Sequence, residues 1–240
     1  MTMDERARRG KLHVDPTLEE ISDHLFSLGI ASLRRANRFV FYSDPYAPHW
    51  PSLGVLSAAH AAEMFIKARI AQEHPLLIVS KFPKQPKVAR PISFRDLFDS
   101  AETIKYAELP DRLWATTGVS VPDPAAFHAF GRLRNSVQHF APSLAGTTQE
   151  EVHRFVFGTI DPFINGEWDE CAIDHCDDEN GDHYEHIVDL LFRGKYKFNM
   201  SKSAASRWRS YDWKSDVSTE QIDSSYELWF EQELMRLSPT

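Results

Sequence analysis

Residues 52–73 read SLGVLSAAHAAEMFIKARIAQE, and this stretch decides the fold class. It is rich in Ala, the residue that a helix costs least, and it holds no Pro. Leu56, Ala59, Glu63, Ile66 and Ile70 recur at helical spacing. Apolar residues occupy other faces as well, as they do in a helix enclosed by its neighbours at the centre of a bundle. Glu63 falls inside the apolar stripe, where a carboxylate is costly unless paired. Two readings of it stay open: an i,i+4 pair with Lys67, or an acid that orients Arg134 or His139 from a neighbouring helix.

Helical signals continue on both sides. Thr17-x-x-Glu20 is a capping box, followed by Leu18, Ile21, Leu25 and Leu28 at helical spacing. Gly29 is expected to interrupt that helix, with Ile30–Tyr42 as a second one carrying Arg34, Arg35 and Arg38 near one side. Asp44-Pro45, Pro48 and Pro51 break the chain before the central helix, and Pro75 ends it. Residues 82–91, rich in Pro and basic residues, read as an extended loop. Ser93-x-x-Asp96 opens a short helix with Leu97, Phe98, Ala101 and Ile104, and residues 109–121 stay ambiguous.

Asp123-Pro124 is an N-cap and first-turn pair. It starts a helix whose core face is Ala126, Phe130, Leu133 and Val137, and Pro142 stops it. Thr148-x-x-Glu151 opens another, with Val152, Phe155, Val156, Thr159 and Ile160 inside, ended by Asp161-Pro162 and Asn165-Gly166. The expected fold is all-α: an antiparallel bundle of four to five helices over residues 1–165. Residues 166–240 form a C-terminal appendage that packs on it. Within the appendage a hairpin, or a loop and a short helix, spans the segment around Ile187–Phe192. Residues 195–198 alternate like a strand, and Ser218 or Thr219 caps a last helix.

The chain has 240 residues with 42% hydrophobic content, enough for a sizeable core. Its two Cys, Cys171 and Cys176, argue against a disulfide-stapled secreted protein. Residues 1–11 are charged and lack the apolar run of a signal peptide, and no apolar run approaches membrane-spanning length. The expectation is a cytoplasmic protein without membrane contact. Net charge is −8, but of the 35 acids 11 fall between Asp161 and Leu190, where there is no Lys or Arg. The rest of the chain holds 24 acids against 27 bases. That balance permits contact with RNA at a local basic cleft and argues against a long electrostatic track.

No Walker, dinucleotide-binding or nucleophile-elbow motif occurs, which sets aside a P-loop nucleotide hydrolase, a Rossmann dehydrogenase and an α/β hydrolase. Cys171, His175, Cys176, His183 and His186 have a spacing that fits no standard zinc site, so a solvated acidic loop is the preferred reading there. His60 and His128 read as core or rim residues of helices. Trp208, Tyr211 and Trp213 alternate with Lys202, Arg207, Arg209 and Lys214; such a patch can stack on bases, and more commonly anchors a tail.

Arg134-Asn135-Ser136-Val137-Gln138-His139 carries the chemistry. An Arg grips a phosphate through a planar fork of donors. Asn135 adds a neutral donor. A His takes or gives a proton near neutrality. Asn135 and His139 share a helix face, whereas Arg134 and His139 point about 140° apart. The stretch resembles the R-x4–6-H motif of the HEPN superfamily, in which a polar residue commonly follows the Arg. Residues 58–68, with an acid, apolar residues and then a Lys, resemble that family's central helix.

The resemblance implies a metal-independent endoribonuclease that needs no cofactor. In it the ribose 2′-OH attacks its own 3′-phosphate, with His139 as general acid or base. Arg134 stabilises charge on the phosphate, Asn135 positions the phosphate or Arg134, and Glu63 is a supporting acid. It also implies a homodimer with a composite active site, a toxin or antiviral defence role, and an antitoxin or sensor protein as partner. The alternative is a catalytically inactive module of the same kind that binds RNA, nucleotide or protein.

Overall fold

The structure, a computed structural model, describes residues 16–42, 46–84, 94–139, 148–176, 184–210, 214 and 223–237. Most of them are helical, so the all-α class stands. Helices α1 (Pro16–Phe41) and α2 (Trp50–Glu73) form an antiparallel pair. The Ser22 hydroxyl donates to the Ala68 carbonyl at 3.2 Å. Further along, Gly29 lies against Phe65 and Gly54 against Val40. The expected break at Gly29 does not occur. A Cβ there would stand 2.7 Å from the Phe65 ring, so Gly29 is small because the two helices touch. The roughly 1 kcal/mol that a helical Gly costs is offset by that contact.

α2 is buried along most of its length and reaches the core as the Ala-rich stretch predicts. After it come a 3-10 turn (Pro75–Ile78) and strand β1 (Val79–Lys81). Helix α3 (Phe94–Ser100) and strand β2 (Glu102–Thr103) follow, and β1 pairs antiparallel with β2 at Val79–Thr103 and Lys81–Glu102. This small ribbon has no signal in the sequence, and it places residues 105–107 beside the next helices. A second 3-10 turn (Tyr106–Glu108) leads into α4 (Leu109–Thr117), which settles the ambiguous segment as helix.

α5 (Pro124–His139) starts where the Asp123-Pro124 pair predicts: Asp123 Oδ1 accepts from the Ala126 N–H at 2.8 Å. The proposed stop at Pro142 lies outside the described residues. α6 (Thr148–Phe155) does not end at Asp161-Pro162. It runs through a π-helical segment (Val156–Ile160) straight into α7 (Asp161–Trp168). Pro162 has no N–H to give an α-helical ladder. The widened turn, in which the Asp161 N–H bonds the Val156 carbonyl, absorbs the lost bond. The helix ends instead at Asp169, in the left-handed region at φ 57°.

Beyond it, Cys171, Ala172, Ile173, His175 and Cys176 are buried, which corrects the expectation of a solvated loop for this part. The loop's other acids, residues 177–182, lie outside the described residues. Asn37 of α1 donates to the carbonyls of His175 at 3.0 Å and Ala172 at 3.4 Å, and the Tyr42 hydroxyl donates to that of Cys176 at 3.1 Å. α8 (Tyr184–Gly194) decides for helix over hairpin, and residues 196–200 form no strand. α9 (Lys202–Ser210) and α10 (Ser224–Arg236) complete the described chain. Asp223 caps α10, accepting from the Ser225 N–H at 2.9 Å; Ser218 and Thr219 lie outside the described residues.

One buried cluster includes residues from α1 to α10, so the C-terminal third shares the bundle's core. Trp208 is buried against Phe198 and Phe230, Arg209 donates to the Leu234 carbonyl, and Lys214 pairs with Glu227 and Glu231. These members of the basic-aromatic patch anchor the end of the chain; Tyr211 and Trp213 lie outside the described residues. Among the described residues no helix is long and apolar enough to cross a membrane.

Candidate functional site

α5 is seated by aromatic stacking. Phe127 stacks on Tyr106 with ring centroids 4.3 Å apart, and Phe130 stacks on Phe155 at 3.9 Å. Phe127 is fully buried, a core position that the Ala126/Phe130/Leu133/Val137 stripe misses; Leu133 and Val137 are only partly buried. Gly131 completes the seat. A Cβ on it would stand 2.7 Å from the Tyr106 ring, so only Gly lets α5 come this close.

This rotation of α5 leaves His128, Arg132, Asn135 and His139 exposed, at spacings of four, three and four residues that align them on one face. Arg134 lies to the side of that stripe. Its guanidinium carbon sits 5.6 Å from the centroid of the Tyr106 ring, within cation–π range. The Tyr106 hydroxyl is buried and has no hydrogen-bond partner among the described residues. Burial pushes its pKa far above the ordinary phenol value; the charge of Arg134 pulls the other way, and that of Glu63 adds to the rise. Tyr106 therefore stays a neutral platform beneath Arg134.

Lys105, Tyr106 and Ala107 on one side and His128, Gly131, Arg132, Arg134 and Asn135 on the other line an open groove of about 460 Å³. No carboxylate is among these lining residues. Among the described residues, no acid forms an ion pair with Lys105, Arg132 or Arg134. Three cations line this concave surface with no ion-paired acid among the described residues, an arrangement that an anion suits. Arg forks suit phosphate oxygens in particular.

The sequence-nominated residues separate in space. Arg134 and Asn135 meet in the groove. His139, the last residue of α5, continues the exposed stripe but is not among the groove's lining residues. Glu63 takes the first of its two readings: it pairs with Lys67 at 2.7 Å, and Lys67 also donates to Thr103 at 3.1 Å. Its influence on the site is indirect, through the charge it presents to Tyr106. His128, set aside as a rim residue in the sequence, lines the groove. The signal that finds it is the four–three–four spacing from His128 to His139. Lys105 has no such signal, because it arrives from the ribbon side. His60 is exposed on α2.

The candidate metal ligands are held otherwise. Neither Cys171 nor Cys176 is in a disulfide, and burial pushes the Cys171 thiol up to about 12, which keeps it protonated. His175 takes the Arg34 Nε–H on Nδ1 at 3.4 Å and sets Nε2 3.3 Å from Glu170. Burial lowers its pKa, consistent with a neutral ring that donates to Glu170. Among the described residues no three His, Cys, Asp or Glu side chains are grouped to hold a metal ion. His183 and the side chain of His186 lie outside them.

Comparison with models of known families, with curated proteins and with solved structures found no match.

Proposed function

We propose that this chain is a metal-independent, HEPN-like endoribonuclease. One observation carries the reading: Arg134 and Asn135, the residues nominated by the R-x4–6-H resemblance, lie together in a groove that Lys105 and Arg132 also line, with no carboxylate among its described lining residues. Arg134, perched on Tyr106, neutralises charge that builds on the scissile phosphate as the 2′-oxygen attacks. The Asn135 amide gives a second donor. His139 gives the leaving 5′-oxygen its proton. Products are a 2′,3′-cyclic phosphate or 3′-phosphate and a 5′-OH.

His139 stands eleven residues from His128, about 16 Å of helix rise. We therefore take it to serve the groove of a second copy. His128 and His139 are equidistant from a centre between Leu133 and Arg134. Two α5 helices laid antiparallel about that centre would set each His139 opposite the other copy's groove. The role is that of a toxin or defence effector, restrained by an antitoxin or sensor protein.

Purified protein incubated with RNA is expected to leave 5′-OH ends, with or without a chelator. Arg134→Ala and His139→Ala each lower the rate by roughly 10²-fold or more, and Gln138→Ala cuts like wild type. In cells, toxicity disappears with His139→Ala at constant protein level. The position of His139 beyond the groove's lining favours one second reading, a module that binds RNA or nucleotide without cutting it. Binding of RNA without cleavage under every tested trigger would put that reading in its place.

A further inference from the structure

We propose that His128 is the general base of the groove. The inference rests on the ribonuclease reading and adds a residue to it. His128 is exposed and lines the same groove as Arg134 and Asn135. It precedes Arg132 by one turn on the same face of α5. Its ring stands edge-on to Phe127, at 6.0 Å between centroids and 85° between planes, and Phe127 is itself locked against Tyr106. The imidazole thus hangs from a rigid anchor. The charged and titratable groups that line the groove with it are Lys105, Arg132, Arg134 and the neutral Tyr106. No carboxylate lining the groove competes to hold its proton. It is the one imidazole among the described residues that line the groove, and imidazole is the side chain suited to general acid–base chemistry.

Cleavage by the 2′-OH needs two proton transfers, one from the attacking hydroxyl and one to the leaving oxygen. A phosphate gripped by Arg134 and Asn135 lies within the space that His128 shares. His128 takes the 2′-OH proton while the 2′-oxygen forms its bond to phosphorus. The bond from phosphorus to the 5′-oxygen breaks, and that oxygen leaves with the proton from His139. Exchange with water then returns the His128 proton and reloads His139. No oxidant, metal or other co-reactant enters the balance. Lys105 and Arg132 hold the flanking phosphates that keep the ribose in place.

The test measures cleavage of a short single-stranded RNA by wild type, His128→Ala and Ser136→Ala over pH 5 to 9. Circular dichroism verifies that each variant is folded. His128→Ala is expected to fall by roughly 10²-fold or more and to lose the acidic limb of the pH–rate profile. Added imidazole should restore part of the rate, which it would not do for a residue that only supports the fold. Ser136→Ala, exposed on α5 off the stripe, is expected to match wild type. His128→Ala that cuts like wild type, with its acidic limb intact, overturns this proposal and leaves the ribonuclease reading standing. A loss that imidazole does not repair, with the limb unmoved, overturns it as well. Wild type that leaves the RNA whole removes the reading on which the proposal rests. A folded His128→Ala variant can then be compared for binding of 2′-O-methyl RNA; equal affinity excludes His128 from the site altogether.

Discussion

Two polar regions of this molecule handle charge in opposite ways. Around α7 and residues 170–176, Asp161 takes three N–H donors, and His175 lies between Arg34 and Glu170. At the α5 groove, Lys105, Arg132 and Arg134 converge with no ion-pair partner among the described acids. The buried region lies in the acid-rich segment whose Cys and His raise the question of zinc. The groove lies in a stretch that looks like an ordinary helix end. A satisfied polar cluster in a core is accounted for by folding. Like charges that line a concavity with no ion-paired acid among the described residues are not, and they point to a ligand. Each expected outcome below breaks or sharpens that contrast.

The largest effect is expected at Asp161. Its carboxylate is fully buried; Oδ1 accepts from the Ala172 N–H at 2.7 Å, and Oδ2 accepts from the Asn199 N–H at 2.6 Å and its Nδ2 at 3.0 Å. It ties α7 to two segments of the C-terminal third. Asp161→Ala leaves three donors without an acceptor, about 5 kcal/mol in the acid range. Burial nevertheless pushes the Asp161 pKa up from 3.8 to about 6, against the pull of its three donors.

The sign follows from proton binding. Between pH 3.8 and about 6 the folded state holds the proton more tightly than the unfolded state, so rising pH removes about 3 kcal/mol of stability from the wild type alone. The difference in unfolding free energy between variant and wild type is therefore widest near pH 4. It narrows to about 2 kcal/mol at pH 7. Urea melts at both pH values decide it. A gap that widens with pH would mean that the three donors outweigh burial and hold the carboxylate charged.

A short local motif nominates Arg134 and Asn135, neighbours that line one groove, and helix α2 was legible because its composition and period agree. The rest depended on contacts that sequence spacing does not encode. Gly29 reads as a breaker until Phe65 is seen against it. Asp161-Pro162 reads as a stop until the π-helical turn absorbs the missing N–H. Cys171, Ile173 and Cys176 look solvated among acids, yet they turn inward while Glu170 and Asp174 stay at the edge. Lys105 joins the groove because the ribbon of β1 and β2 leads residues 105–107 to α5, the helix that already carries His128. On α5 the expected stripe takes Ala126 where its neighbour Phe127 is the buried residue, and His128 reads as a core or rim residue.

A smaller effect, and one specific to the groove, concerns phosphate contacts. Lys105 and Arg132 are exposed and form no ion pair with a described acid, so replacing them should leave thermal stability near wild type. For binding of single-stranded RNA, Lys105→Ala and Arg132→Ala should each reduce the slope of log K against log salt by about 0.7, the value for one lost phosphate contact. Arg34→Ala, whose side chain is committed to His175, should leave the slope unchanged. Unchanged slopes in both groove variants would reduce the groove to a solvated cationic surface, and the contrast with the buried cluster would lose its functional meaning.

The smallest expected effect has the opposite sign. Glu102 stands three residues before Lys105 and pairs with Lys81 at 2.7 Å, both side chains well exposed. The hydrogen bond from Lys81 holds its carboxyl below the usual range, and the charges of Lys81 and Lys105 add to that pull. Glu102 is thus an acid whose field reaches the groove from outside its lining. Glu102→Gln removes that field without touching the groove. RNA binding should tighten by less than about twofold in 0.05 M salt, and the gain should fade in 0.5 M salt as the Debye length falls below the separation. The melting temperature should stay put, since so exposed a pair contributes little to folding. Tighter binding that survives high salt would mean a reshaped ribbon instead of a changed field. Weaker binding would place Glu102 itself in contact with the ligand, and the acid-free description of the groove would then be wrong at its edge.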